Sequence, residues 1–418
     1  MYSKMLLSSS SILFLSLSSV FADSCQWDTL HGNPTKLVAH RGEKAFMPEH
    51  SYGSYHMAAF EAIDYIEPDV VVTKDGILVV CHDEWLGTTT NIASIPKFAD
   101  RKKNILFEGK YTTINRTDYF IHDFTYAELQ EVKLVVNKNF PTRPTYFDND
   151  FSIMSFDSYL DKIMNVTQLF NRTYGIIPEL KSPEFYNSLF KSANGRWFED
   201  QLLATLEKRG FFANQPGSPD PIMGEGDLLD SILNIKPNNY LKPNYLRAAI
   251  QSFDPESCQY LASKTKIPIV ALDSETPTWY TPKGLDHIAT FSKIFSPWKD
   301  LMLAGPQLYF DLTKVAYNKT QIDEMGGFLS PKDLVSECHK RGIELSPYTF
   351  YDSRQGSSLI CSNPTYNSTT FPFCPKNKKD EFFYFFSIGT DYMFVENVFE
   401  AQILRLAYDY NLRLNADF

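Results

Sequence analysis

Short apolar runs that end in polar or charged residues, alternating with helix-like stretches, predict an α/β fold with a parallel sheet covered by helices. Eight runs carry this expectation: 37–40, 65–72, 77–82, 175–180, 248–253, 267–272, 343–348 and 391–395. Eight is the number that closes a TIM, or (β/α)8, barrel. Helix-like stretches at 54–62, 198–209, 255–264, 331–341 and 396–410 stand between several of them. Lys340-Arg341-Gly342 reads as a helix end, with cations in the last turn and glycine just beyond.

Two long interruptions break the alternation. One spans about 83–172, after the third strand, and a second, rich in Pro, Gly and Asn, runs from 213 to about 243. Insertions of this size decorate the loops at one end of a barrel, where specificity is built. No linker divides the chain, so one domain over 23–418 is expected, and a chain of 418 residues has ample material for its core.

The formal net charge of −10, with no basic stripe, excludes a nucleic-acid reader. An acidic chain that binds an anionic substrate needs local cations or a metal. Lys4, the apolar stretch 6–20 and Val20-Phe21-Ala22 read as a cleaved signal peptide over 1–22. Residues 414–418 lack a lipid-anchor tail, so no membrane anchor is expected and the chain reads as secreted or lumenal. Asn-x-Ser/Thr sequons at Asn115, Asn165, Asn171, Asn318 and Asn367 agree with export and N-glycosylation. Six cysteines in that setting read as structural, with Cys361–Cys374 the expected bridge and Cys81 read either as bridged or as a buried thiol.

Charged residues mark the ends of successive runs. His40-Arg41-Gly42 closes the first, and Glu67-Pro68-Asp69 lies on the second, where the two-residue period turns both carboxylates to one face. His82-Asp83 closes the third and Glu179-Leu180-Lys181 the fourth. Strand C-termini form the active-site rim of such a barrel. Singly, each group has an ordinary reading: a satisfied histidine, a solvated Glu-x-Asp face, a Glu179–Lys181 ion pair, a loop-supporting Arg41. Their conjunction points to phosphodiester chemistry. Glu67, Asp69 and Glu179 offer hard oxygen ligands for one divalent cation, Ca²⁺ or Mg²⁺, with Mn²⁺ also admitted. Arg41 and Lys181 suit phosphate oxygens, and His40 and His82 can move protons near neutrality.

Leu37-Val38-Ala39-His40-Arg41-Gly42 and Pro48-Glu49-His50-Ser51 resemble the opening motifs of the glycerophosphodiester phosphodiesterase family. Residues 66–76, continuing to Val80-Cys81-His82-Asp83, are similar to its metal-and-acid signature, and Ile177-Pro178-Glu179-Leu180-Lys181 to its fourth-strand motif. Gln251-Ser252-Phe253-Asp254, Ser346-Pro347-Tyr348-Thr349-Phe350 and Gly389-Thr390-Asp391 resemble its later strands. The likeness spans nearly the whole mature chain, and the insertion after the third strand fits the subgroup typified by bacterial periplasmic enzymes. It implies a TIM barrel that hydrolyses glycerophosphodiesters to glycerol 3-phosphate and an alcohol. It also implies His40 and His82 as the acid–base pair, with His82 protonating the leaving group and His40 assisting attack. Arg41 and Lys181 then bind phosphate, and Glu67, Asp69 and Glu179 hold the metal. Glu49 is implied as a supporting residue, with helix capping as its alternative, and Phe253 as a glycerol contact, with a core position as its alternative.

Three departures bear on substrate preference: His50 replaces an asparagine, Tyr351 stands where an arginine is common, and Glu396-Asn397 stands where an aspartate is expected. Lysophospholipase D or glycerophosphoinositol hydrolysis on the same barrel is the nearest rival reading. A catalytically idle binding or surface protein is the rival from another class, and its sign, loss of a histidine or carboxylate, is absent.

Overall fold

The computed structural model describes residues 26–211, 247–352 and 373–416. Strand β1 (Lys36–His40) pairs in parallel with β2 (Tyr65–Glu67), and the same run continues beyond Pro68 as β3 (Asp69–Val72). Proline supplies no N–H, so the ladder is interrupted there. Next come β4 (Leu78–Val80) and the hairpin of β5 (Lys103–Glu108) and β6 (Thr113–Asp118). A second proline, Pro178, divides β7 (Gly175–Ile176) from β8 (Glu179–Leu180). The remaining strands are β9 (Ile250–Ser252), β10 (Ile269–Asp273), β11 (Ile294–Pro297), β12 (Glu344–Leu345) and β13 (Tyr392–Val395).

Hydrogen-bonded neighbours run β13-β1-β2-β7 and β12-β11-β10-β9-β8-β3-β4. The two series are halves of one barrel, since β2 and β3 are one run, as are β7 and β8. Closure comes where Asp391 N donates to Leu345 O at 2.9 Å and Phe350 N to Phe394 O at 2.8 Å. Eight parallel positions result, as the TIM-barrel reading requires.

The membership of that set differs from expectation at one position. The third run, 77–82, folds back antiparallel on β3, with Val70 opposite Val80 and Val72 opposite Leu78. Its connection through Thr73–Ile77 is too short for a parallel crossover, which needs a dozen or more residues. The insertion does follow this third run. The parallel position it leaves is filled by β11, a four-residue strand ending in Pro297 that the apolar pattern alone did not reveal.

Inside the barrel lies a small core of Val38, Tyr65, Ile177, Ala249, Val270, Ile294, Tyr392 and Phe394. A larger core between strands and helices contains Leu37, Ala39, Ile66, Tyr159, Leu202, Leu261 and Leu334. The two-residue period carries the inner face outward to the rim: from Val38 to His40, Tyr65 to Glu67, Ile177 to Glu179, Ala249 to Gln251 and Phe394 to Glu396. Helices Tyr52–Phe60, Trp197–Lys208, Pro255–Lys264 and Pro331–Lys340 lie within two residues of their expected bounds, while Val398–Ala416 runs to 416, past the expected 410.

Residues 1–22, Cys25, Cys361, Asn367 and the polar stretch 213–243 lie outside the described residues. Cys374 is disulfide-bonded, while Cys81, Cys258 and Cys338 are buried free thiols. Asn115, Asn165, Asn171 and Asn318 are all exposed. No helix among the described residues is long and apolar enough to cross a membrane.

Candidate active site

The turn after β1 sets the site's first side chains. Arg41 takes a left-handed backbone, φ 65°, followed by Gly42 at φ 82°. A Cβ on Gly42 would stand 2.5 Å from Ser54 Oγ, so only glycine lets the turn lie against the helix Tyr52–Phe60. That turn points Arg41 N at Glu67 Oε2, 2.9 Å away. The guanidinium meets Glu49 Oε1 at 2.9 Å and Asp69 Oδ2 at 3.1 Å. Glu49 therefore supports Arg41 and is not a helix cap; Ser51 caps that helix.

Glu67, Asp69 and Glu179 are buried, and each offers an oxygen within 4.8 Å of the others. Burial and the charges of Asp69 and Glu179 push the Glu67 carboxyl well above the usual range. Burial, with Asp69 beside it, pushes Glu179 up to about 7 although Lys181 opposes the shift. Asp69, whose burial alone would raise it, is held well below the usual range by Lys181 and Arg41. Asp69 Oδ1 is buried with no hydrogen-bond partner. A cluster of crowded carboxylates with an unpartnered oxygen fits a hard divalent cation. His50, at the first departure, donates from Nε2 to Asp69 Oδ2 at 2.8 Å, while its Nδ1 lies 2.7 Å from Tyr55 Oη, and so orients that carboxylate.

His40, Arg41, His82, Glu179, Lys181 and Phe253 line one cavity of about 330 Å³, and Glu67 and Asp69 are buried against Glu179. His82 Nδ1 lies 2.6 Å from Asp83 Oδ1, and His40 Nδ1 lies 2.8 Å from Lys44 Nζ. Burial, then Lys44 and Arg41, lowers the His40 pKa well below its ordinary value; burial and Arg41 lower that of His82. Lys181 Nζ stands 2.8 Å from Glu179 Oε1 and 6.0 Å from the Phe253 ring centroid. Phe253 is 41% exposed, so it is a wall of the cavity and not a core residue.

Sequence reasoning missed Lys44, Asn137, Asn139, Phe140, Arg143 and Trp298, and it gave Tyr348, Tyr351 and Glu396 no contact in the site. Phe253 begins an aromatic wall that continues through Tyr348 at 5.7 Å and Trp298 at 5.4 Å to Tyr351 and Phe140, each further step 6.3 Å. Glu396 pairs with Lys44 at 2.9 Å and with Arg143 at 2.7 Å. Arg143 belongs to the insertion, which also brings Asn137, Asn139 and Phe140 to the cavity. Among the missed residues, Lys44, four residues past His40, stands next to a motif.

Known proteins place these features in a family. Residues 40–208 match the model of the glycerophosphoryl diester phosphodiesterase family. The chain is 30% identical over 331 residues to a glycerophosphodiester phosphodiesterase of Arabidopsis thaliana, covering 76% of this chain and 75% of the relative. It is 29% identical over 184 residues to a glycerophosphodiester phosphodiesterase of Haemophilus influenzae, covering 42% and 46% respectively. A solved structure of a Silicibacter pomeroyi protein described as a glycerophosphoryl diester phosphodiesterase shares the fold. Its TM-score is 0.54 at 14% identity, and the match covers 92% of this chain and 98% of that one. With three quarters of the Arabidopsis relative matched, the chain belongs to the glycerophosphoryl diester phosphodiesterase family of enzymes.

Proposed function

We propose that the chain hydrolyses glycerophosphodiesters to glycerol 3-phosphate and an alcohol, using a divalent cation and the pair His40 and His82. The observation that carries this reading is one cavity lined by His40, His82, Arg41, Lys181 and Glu179, with Glu67 and Asp69 clustered on Glu179 within 4.8 Å. Glu67, Asp69 and Glu179 would hold the ion; their all-oxygen set suits Ca²⁺ or Mg²⁺, and Mn²⁺ also fits. Such an ion, when bound, neutralises charge on the phosphoryl oxygens. Arg41, its fork fixed by Glu49 and Asp69, and Lys181 bind the non-bridging oxygens. His40 and His82 carry the proton transfers, and Phe253 packs against the glycerol portion.

Lysophospholipase D-type hydrolysis is a second reading, favoured by the aromatic wall beside Phe253, which offers apolar surface to a longer chain. Export of the protein is supported by the four exposed sequon asparagines and the bridged Cys374. The test is release of glycerol 3-phosphate from glycerophosphocholine and glycerophosphoinositol, and of lysophosphatidate from lysophosphatidylcholine, beside a His82→Ala control. Release that the substitution abolishes is expected with the first substrate. Turnover of the lysolipid alone would favour the second reading, and turnover of none would overturn both.

A further inference from the structure

We infer that Lys44 is a positioning residue that fixes the tautomer of His40, making His40 the proton donor to the leaving group and His82 the base. The inference rests on the activity proposed above. Lys44 Nζ lies 2.8 Å from His40 Nδ1 and 2.9 Å from Glu396 Oε1, in a side chain only 2% exposed. Glu396 is itself fixed by Arg143 at 2.7 Å, so the ammonium has a rigid seat. An ammonium has hydrogens and no lone pair. Nδ1 of His40 must therefore accept, and the single hydrogen of the neutral ring falls on Nε2.

His82 is held in the opposite sense. Its Nδ1 is 2.6 Å from Asp83 Oδ1, and a carboxylate only accepts, so Nδ1 carries the hydrogen and Nε2 keeps its lone pair. Two imidazoles on one cavity thus have opposite chemistry at their second nitrogens. This order is the reverse of the one the family resemblance implies.

The proton bookkeeping closes. The attacking O–H gives its proton to His82 Nε2 as its oxygen bonds to phosphorus. The P–O bond to the alcohol breaks, and the leaving oxygen takes the Nε2 proton of His40. Lys44 passes one proton to Nδ1, so His40 ends neutral, Lys44 ends as an amine, and His82 ends as an imidazolium facing Asp83. Solvent then takes the extra proton from His82 and returns one to His40 Nε2, and Nδ1 gives its proton back to Lys44, which restores the starting state. Burial and the neighbouring Arg41 push the Lys44 pKa down to about 8, which suits a residue that releases a proton.

Two substrates separate the roles. Glycerophosphocholine has an alkoxide leaving group that needs a proton, whereas the p-nitrophenyl ester of glycerol 3-phosphate does not. His40→Ala and Lys44→Met should lose about 100-fold or more in kcat on the first substrate and stay within about tenfold of wild type on the second. His82→Ala should lose on both. Nitrogen-15 NMR of the histidine rings should show His40 protonated on Nε2 in wild type and in Lys44→Gln, whose amide keeps a donor at Nδ1. That preference should be lost in Lys44→Met, and the same spectra report whether each variant is folded. His82→Ala spared on the aryl ester while His40→Ala is not, or an Nδ1–H tautomer of His40 in wild type, would overturn the inference. Wild-type enzyme inactive on both substrates would instead overturn the proposed activity, while the NMR still reads the tautomer.

Discussion

Arg41 donates from Nη1 to Glu49 Oε1 at 2.9 Å, and both side chains are almost wholly withdrawn from solvent. Burial alone would raise the Glu49 carboxyl; the Arg41 charge, with Lys44, instead holds it well below its ordinary 4.5. A depressed folded-state pKa adds stability that is complete above the unfolded value and is lost as pH falls below it. Glu49→Gln should therefore cost on the order of 3 kcal/mol at pH 7. In urea unfolding, wild type and variant should converge as the pH falls below 4.5. A gap of constant size across that range would contradict the assignment.

Gly42 tests the turn that aims Arg41. Alanine there meets both a left-handed backbone and Ser54 Oγ at 2.5 Å. A loss of about 2 kcal/mol or more in stability is expected from strain and overpacking together. Turnover should fall as well, because the guanidinium moves with its backbone. Unchanged stability and kcat would show that the turn has slack.

The insertion is tied to the barrel mouth through Arg143 and Glu396. Arg143→Met should loosen the segment that presents Asn137, Asn139 and Phe140, raising KM by roughly three- to tenfold with a smaller change in kcat. Steady-state kinetics on glycerophosphocholine measures this split. A fall in kcat at constant KM would place the segment in the chemical step instead.

Phe253 is a partly exposed wall residue, so Phe253→Ala should leave thermal stability nearly unchanged while raising KM. A large drop in melting temperature with unaltered KM would return Phe253 to a structural role.

Much of this site was legible because motif and period coincide. His40, Glu67 and Glu179 each sit two residues beyond an inward apolar residue, so the strand pattern that predicts the barrel also aims the chemistry. The direction of the third run was not legible from apolar pattern, since β4 looks like any buried strand; only the short turn after Val72 betrays the hairpin. Strand β11 was hidden by its brevity and its terminal Pro297. Glu396 and Arg143 lie 253 residues apart and meet only through the fold, which no local pattern encodes. The seat of Lys44, and with it the His40 tautomer, was invisible for the same reason. Glu49 and Phe253 each had two sequence readings, and the hydrogen bond of one and the exposure of the other decided between them.

The most direct test of the central claim is glycerol 3-phosphate release from glycerophosphocholine by purified protein stripped with chelator. Mg²⁺, Ca²⁺ and Mn²⁺ would then be restored one at a time, for wild type and for Glu67→Gln. The account predicts that stripping abolishes turnover, that at least one of these ions restores it, and that the variant needs far more ion or fails to recover. Full turnover in chelator, indifferent to Glu67→Gln, would contradict a catalytic cation at Glu67, Asp69 and Glu179.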